Sequence, residues 1–197
     1  MFIQVIKGRV DDGEGLVEAL EEWRRRVRPG AIGFLGSTGG VTADGWFVGL
    51  VRFESASAAR ANSGRPEQGA WWTAAERCFA GPVTFRDCSE VDVYRTGGSD
   101  GAGFVQVMQG RGDRERLRQL DAAFEDRLAE LRPDLLGSVR AWCGDEYTEA
   151  AYFTGEAEAR AGEAQPPPAD LDEAFGDWQR AMGPVTYYDL TSPRLIS

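Results

Sequence analysis

Hydrophobic and polar positions change period along this chain in a set order, and the order occurs twice. Residues 2 to 8, Phe-Ile-Gln-Val-Ile-Lys-Gly, are rich in β-branched and aromatic side chains and read as a strand. Asp11-Asp12-Gly13 breaks that strand. Leu16, Leu20, Trp23 and Val27 then recur at helical spacing, an amphipathic helix that Pro29 ends. Two extended stretches, 31 to 38 and 46 to 53, flank the turn signal Ala43-Asp44-Gly45 and predict a hairpin. A helical region interrupted by Gly64 and Pro66 follows, and a strand is expected from Pro82 to Tyr94. From residue 104 the series returns: a strand, a helical stripe of Leu117, Leu120, Phe124, Leu128 and Leu131 ended by Pro133, a hairpin about Gly144-Asp145-Glu146, a helical region holding Pro166-Pro167-Pro168, and a strand from Pro184 to Thr191.

The two series also match residue by residue. Phe2-Ile3-Gln4-Val5 lies over Phe104-Val105-Gln106-Val107, Arg28-Pro29 over Arg132-Pro133, Ala59-Arg60-Ala61 over Ala159-Arg160-Ala161, and Gly81-Pro82-Val83-Thr84 over Gly183-Pro184-Val185-Thr186. The expected organisation is a unit over 1–95, a Gly/Ser linker over 96–101 and a second unit over 102–197. Each unit reads β-α-β-β-α-β, the ferredoxin-like order that puts both helices on one face of a four-stranded antiparallel sheet. The fold class is therefore α+β. The bare sheet faces of two such units are expected to pack together as a pseudo-dimeric α+β barrel.

Composition narrows the chemistry. The 197 residues carry 22 basic and 32 acidic side chains, net −10, which disfavours nucleic acid and anionic membrane as partners. No stretch is long and apolar enough for a membrane span, and no leader pattern opens the chain, so a cytoplasmic location is expected. Acid is concentrated late: residues 1–98 hold 12 basic and 13 acidic residues and residues 99–197 hold 10 and 19, the reading of a solvated helical face. Histidine is absent and Lys7 is the sole lysine, which removes the commonest general base, metal ligand and Schiff-base former. Cys78, Cys88 and Cys143 have no metal-ligand spacing and read as reduced, partly buried thiols. No metal and no cofactor is expected.

The β-α-β-β-α-β order, the Gly-Pro-Val-Thr opening of the last strand and the tandem pairing together resemble the antibiotic biosynthesis monooxygenase type of dimeric α+β barrel. The resemblance covers both units. The superfamily includes cofactor-independent quinone-forming oxygenases, haem-degrading oxygenases, isomerases and proteins without known reaction, so the fold leaves the reaction open. Haem degradation in the family resembles a site with a strand Asn and a ligating His, where this chain has Gln4, Gln106 and no His. The quinone-forming members are similar in using Asn and Trp about one helical turn apart, sometimes with Arg nearby. The corresponding stretch is Arg60-Ala-Asn-Ser-Gly-Arg-Pro-Glu-Gln-Gly-Ala-Trp-Trp72. The resemblance thus implies Asn62 and Trp71 as hydrogen-bond donors and Arg65 as support for an anion, provided the chain folds back at Gly64–Pro66.

Both candidates belong to the first unit alone, because Asn62 falls over Gly162 and Trp71 over Ala174. Trp72 shares a helix face with Phe79 and reads as core, whereas Trp71 lies about 100° further round. Asn62-Ser63-Gly64 equally has the make-up of a helix end, with Asn or Gly left-handed. Gln4 and Gln106 face the same side as apolar neighbours and are expected to pair across the pseudo-two-fold axis. Arg60 and Arg160 suit an ion pair or a substrate clamp. The implied function is a cofactor-independent monooxygenase acting with molecular oxygen on a small aromatic, polyketide-type or quinol substrate. The alternative is a non-catalytic small-ligand-binding or self-associating barrel, as a monomer with an internal pseudo-dimer or as a homodimer.

Overall fold

A computed structural model of the protein describes residues 1–95 and 97–197. Two compact units emerge, Met1–Glu90 with Arg194–Ser197, and Val91–Pro193. The expected linker over 96–101 includes Thr96, which lies outside the described residues.

The first unit comprises β1 (Phe2–Arg9), α1 (Gly13–Glu22), β2 (Phe34–Val41), β3 (Trp46–Phe53), α2 (Ala56–Ser63), α3 (Pro66–Ala75) and β4 (Thr84–Cys88). Asp12 caps α1, its Oδ1 accepting from the Gly15 N–H at 2.9 Å. The apolar stripe foreseen as one helix changes pitch: α1 passes into a π-helical turn, Trp23–Val27, and a 3-10 turn, Arg28–Gly30, that holds Pro29. Trp23 and Val27 stay buried through this change. The hairpin turns at Gly45, whose φ of 83° suits glycine. Its interior gathers Leu16, Phe47, Cys78 and Phe79 with Ile6, Leu20 and Trp72 packed against them, and Phe2, Phe53 and Ala59 with Phe34 alongside.

The second unit repeats the plan with β5 (Glu90–Arg95), β6 (Phe104–Arg111), α4 (Arg114–Leu131), β7 (Leu135–Cys143), β8 (Glu146–Phe153), α5 (Glu156–Glu163), α6 (Asp172–Met182) and β9 (Val185–Leu190). A last strand, β10 (Arg194–Ile196), ends the chain's regular structure. Its core holds Phe104, Met108, Leu117, Leu120, Trp142, Tyr147 and Met182.

Two expectations are corrected here. The strand expected over Pro82–Tyr94 is two strands, β4 and β5, and they join different sheets: the orders are β10-β2-β3-β1-β4 and β5-β7-β8-β6-β9. The unit boundaries expected at 95 and 102 therefore move, with residues 91–95 in the second unit and 194–197 in the first. The physical reason is the edge of each four-stranded sheet. The outer hydrogen-bonding groups of β2 and β7 need a partner, and β10 and β5 supply one. Cysteine is the second correction: Cys88 and Cys143 are disulfide-bonded, leaving Cys78 as the free thiol.

The registers of the two sheets expose one large difference. Gly39 stands opposite Gly49 on β2 and β3, and the equivalent pair on β7 and β8 is Arg140 opposite Glu149. In the first unit the Phe47 ring lies 3.0 Å from where a Gly49 Cβ would be. In the second, Arg140 Nε donates to Glu149 Oε2 at 2.7 Å and Nη1 to Asp121 Oδ2 on α4 at 2.6 Å, with Trp178 Nε1 of α6 also donating to Asp121 at 2.9 Å. Burial works against the charge on Arg140, but the carboxylates of Glu149 and Asp121 more than reverse that and raise its pKa.

Candidate functional site

Local sequence brings Asn62 and Arg65 together. Helix α2 ends at Ser63, and Pro66 opens α3 at a position where its missing N–H costs nothing. Gly64 joins them with φ −79°, so the left-handed helix end foreseen at Asn62–Gly64 does not form and Asn62 stays helical. Its side chain is 6% exposed. A buried carboxamide must find partners for its polar atoms. Asn62 Oδ1 accepts from Arg65 Nη1 at 3.0 Å, and Nδ2 donates to Gln68 Oε1 at 3.3 Å. The same Arg65 nitrogen donates to the Val27 carbonyl at 3.0 Å, beneath the π-helical turn. Gly30 makes room for this guanidinium, since a Cβ there would lie 2.2 Å from Arg65 Nη2.

Trp71 and Asn62 share no hydrogen bond; Trp71 meets the Trp23 ring, and Asn62 meets Gln68, the residue to which Trp23 also donates. Trp23 Nε1 donates to Gln68 Oε1 at 2.8 Å, and its ring lies 6.2 Å from Trp71 and 5.1 Å, edge-on, from Phe34. The Trp71 N–H donates to the Ala19 carbonyl of α1 at 2.7 Å. Trp71 in this geometry sets its ring beside Trp23 and commits its N–H to the α1–α3 contact. Trp72, 5.0 Å from Phe85 and 6.2 Å from Phe79, packs with the core as its helix face implied. Trp23 and Gln68 are the residues that sequence reasoning passed over. Trp23 was legible only as part of an apolar stripe, and nothing in the sequence marked Gln68.

The second unit fills the equivalent place differently. A Cβ on Gly162, over Asn62, would lie 2.3 Å from Arg132 Nε, and Arg132 is locked to Asp134 at 2.8 Å and to the Ala159 carbonyl at 3.3 Å. There a guanidinium replaces the carboxamide. The strand glutamines also bond within their own sheets rather than across an axis: Gln4 Nε2 donates to Asp87 at 2.9 Å, and Gln106 Nε2 to Asp189 at 3.1 Å. Adjacent-strand register at Gln4↔Asp87 and Gln106↔Asp189 makes each pair neighbours. Arg160 pairs with Asp189 and Glu163, whereas Arg60 is exposed.

Burial, and then the Asp12 carboxylate, push the Cys78 thiol up, which keeps it protonated near neutral pH and makes it a poor nucleophile. Among the described residues no group of three or more His, Cys, Asp or Glu side chains could hold a metal ion, and no helix is long and apolar enough to cross a membrane.

No family model matches the sequence, and no curated protein matches it. Solved structures do match the whole chain. A presumed monooxygenase from Fusobacterium nucleatum superposes with a TM-score of 0.75 at 7% identity, over 100% of this chain and 94% of that one. A presumed monooxygenase from Lactobacillus acidophilus gives 0.69 at 9%, over 100% and 99%. An anthrone oxidase-like protein gives 0.63 at 10%, over 98% and 92%. The chain has the tandem ferredoxin-like α+β fold of these monooxygenase-named proteins. At such identities the likeness is one of fold alone.

Proposed function

We propose that the protein is a cofactor-independent oxygenase whose first unit acts on a small aromatic, polyketide-type or quinol substrate with molecular oxygen as co-substrate. The observation that carries this is the buried Asn62 carboxamide, held between Arg65 and Gln68, with Gln68 in turn bonded to Trp23, whose ring neighbours Phe34 and Trp71. An anthrone ionises to an enolate that can pass an electron to oxygen without a metal. The ring CH2 becomes C=O, one oxygen atom enters the product, and the other leaves as water with the two hydrogens lost. The protein's part is to favour the enolate and to keep water from the radical pair.

Arg65 supplies a fixed positive charge and spare N–H groups, and Asn62 keeps one Nδ2 hydrogen beyond its bond to Gln68. Trp71 and Trp23 form the aromatic wall. The substrate proton is released to solvent. Oxygen uptake by metal-free protein against a panel of anthrones and hydroquinones tests the reading. Asn62→Ala should lower uptake by about 100-fold if its amide meets the developing oxyanion, and Arg65→Met should raise the pH at which uptake begins. Uptake equal in Asn62→Ala and the parent protein overturns it.

A second reading, ligand binding without turnover, is favoured by the engagement of Trp71 Nε1 with Ala19, which leaves the site one donor fewer than the resemblance implied. Saturable binding of the same compounds with no oxygen consumed would support it.

A further inference from the structure

The hydrogen bonds around Gln68 have a direction that chemistry sets. Arginine and the tryptophan indole can donate but not accept. Arg65 therefore forces the oxygen of Asn62 toward itself and turns the Asn62 nitrogen to Gln68. Trp23 forces the oxygen of Gln68 toward its own N–H at 2.8 Å. Both carboxamides are locked in one orientation by donors at the two ends of the chain Arg65–Asn62–Gln68–Trp23. What remains is Gln68 Nε2, whose two hydrogens meet no acceptor among the described residues. Gln68 is half-buried on the first turns of α3, and Trp71 and Trp72 stand three and four positions on, the spacing that shares a helix face.

We propose that Gln68 is a ligand-contact residue, presenting its Nε2 hydrogens to the oxygen of an aromatic ketone or its enolate while the ketone's ring lies beside the indoles, and that Arg65 and Trp23 are positioning residues that hold this amide in its donating orientation. The inference rests on reading the Asn62 cluster as the ligand site, and names the donor that replaces Trp71 Nε1. A glutamine that was merely structural would need only its oxygen, because both observed bonds end there.

That distinction sets the experiment. The probes are 9-fluorenone and fluorene, planar tricycles that differ in one carbonyl oxygen, titrated by quenching of tryptophan fluorescence. The parent protein should bind fluorenone about fivefold more tightly than fluorene, the effect of one added neutral hydrogen bond. Gln68→Glu keeps an oxygen for Trp23 and Asn62 but has no N–H, so it should bind fluorenone no more tightly than fluorene. Trp23→Phe should weaken the preference by freeing the amide to rotate, without abolishing binding of fluorene. A parent protein with no preference, including one that binds neither probe, overturns the proposal, as does a preference retained in Gln68→Glu. Oxygen uptake separates this from the catalytic reading: loss in Asn62→Ala with the fluorenone preference intact in Gln68→Glu refutes the Gln68 role alone, and a Gln68-dependent preference without uptake of any panel compound refutes the oxygenase alone.

Discussion

Replacing Arg140 by Leu should unfold the second unit at markedly lower denaturant, and the structure sets the scale. Its side chain is 4% exposed and bonds Glu149, itself 7% exposed, at 2.7 Å. Its other partner, Asp121, is 33% exposed at 2.6 Å. Arg140→Leu leaves the Glu149 carboxylate buried without its cation, a loss of about 3–5 kcal/mol. Asp121 can rehydrate and keeps its bond from Trp178, so most of the cost falls on Glu149. Glu149→Leu should cost less, about 2–3 kcal/mol, because Arg140 retains Asp121. The double variant removes both buried charges and should lie within about 1 kcal/mol of the parent, since apolar replacement of a whole buried pair is often neutral. With urea slopes of about 1–3 kcal/mol/M, the Arg140→Leu midpoint falls by roughly 1–5 M. Hydrogen exchange of the β7 and β8 amides in rising urea reads this unit apart from the other. Singles that each cost under about 1 kcal/mol, or a double as costly as their sum, would refute the reasoning.

Tyr147 gives a pH dependence. Burial raises its pKa and the Glu149 charge adds to this, so from pH about 10 upward an unfolded chain releases a proton that the folded chain keeps. Stability from this group is complete below that pH and is lost as pH rises through the folded value; Tyr147→Phe should narrow the drop in urea midpoint between pH 8 and pH 11, and an unchanged drop contradicts the assignment. Thiol titration of the unreduced, denatured chain should count one thiol, Cys78. A count of three would restore the reduced cysteines of a cytoplasmic protein.

Much of the fold was legible because periodicity is a local signal. The alternation of residues 2–8 and the Leu117–Leu131 stripe report which face is buried, and β1 and α4 form where they predict. The Gly45 and Gly144 turns formed for the same reason, both at positive φ. The strand over Pro82–Tyr94 misled because alternation continues across Ser89 while the hydrogen-bonding partner changes from β1 to β7. At the candidate site, Asn62 and Arg65 stood out by kind and proximity. Gln68 did not, because its significance lies in what it accepts from Trp23, 45 positions away.

By itself, then, the sequence determined that the chain is two copies of one α+β plan, that histidine chemistry is closed to it, and that Asn62 and Trp71 belong to one copy only. Tertiary structure alone decided the partners. Gln4 meets Asp87 and Gln106 meets Asp189 across 83 positions, Arg140 meets Glu149 where the first unit has two glycines, and Arg65 and Trp23 orient a glutamine between them. A periodic pattern records how often a side chain turns inward, which each residue and its near neighbours dictate. Which donor faces which acceptor depends on segments distant in sequence being folded into contact, where each buried polar atom must find a partner of opposite kind.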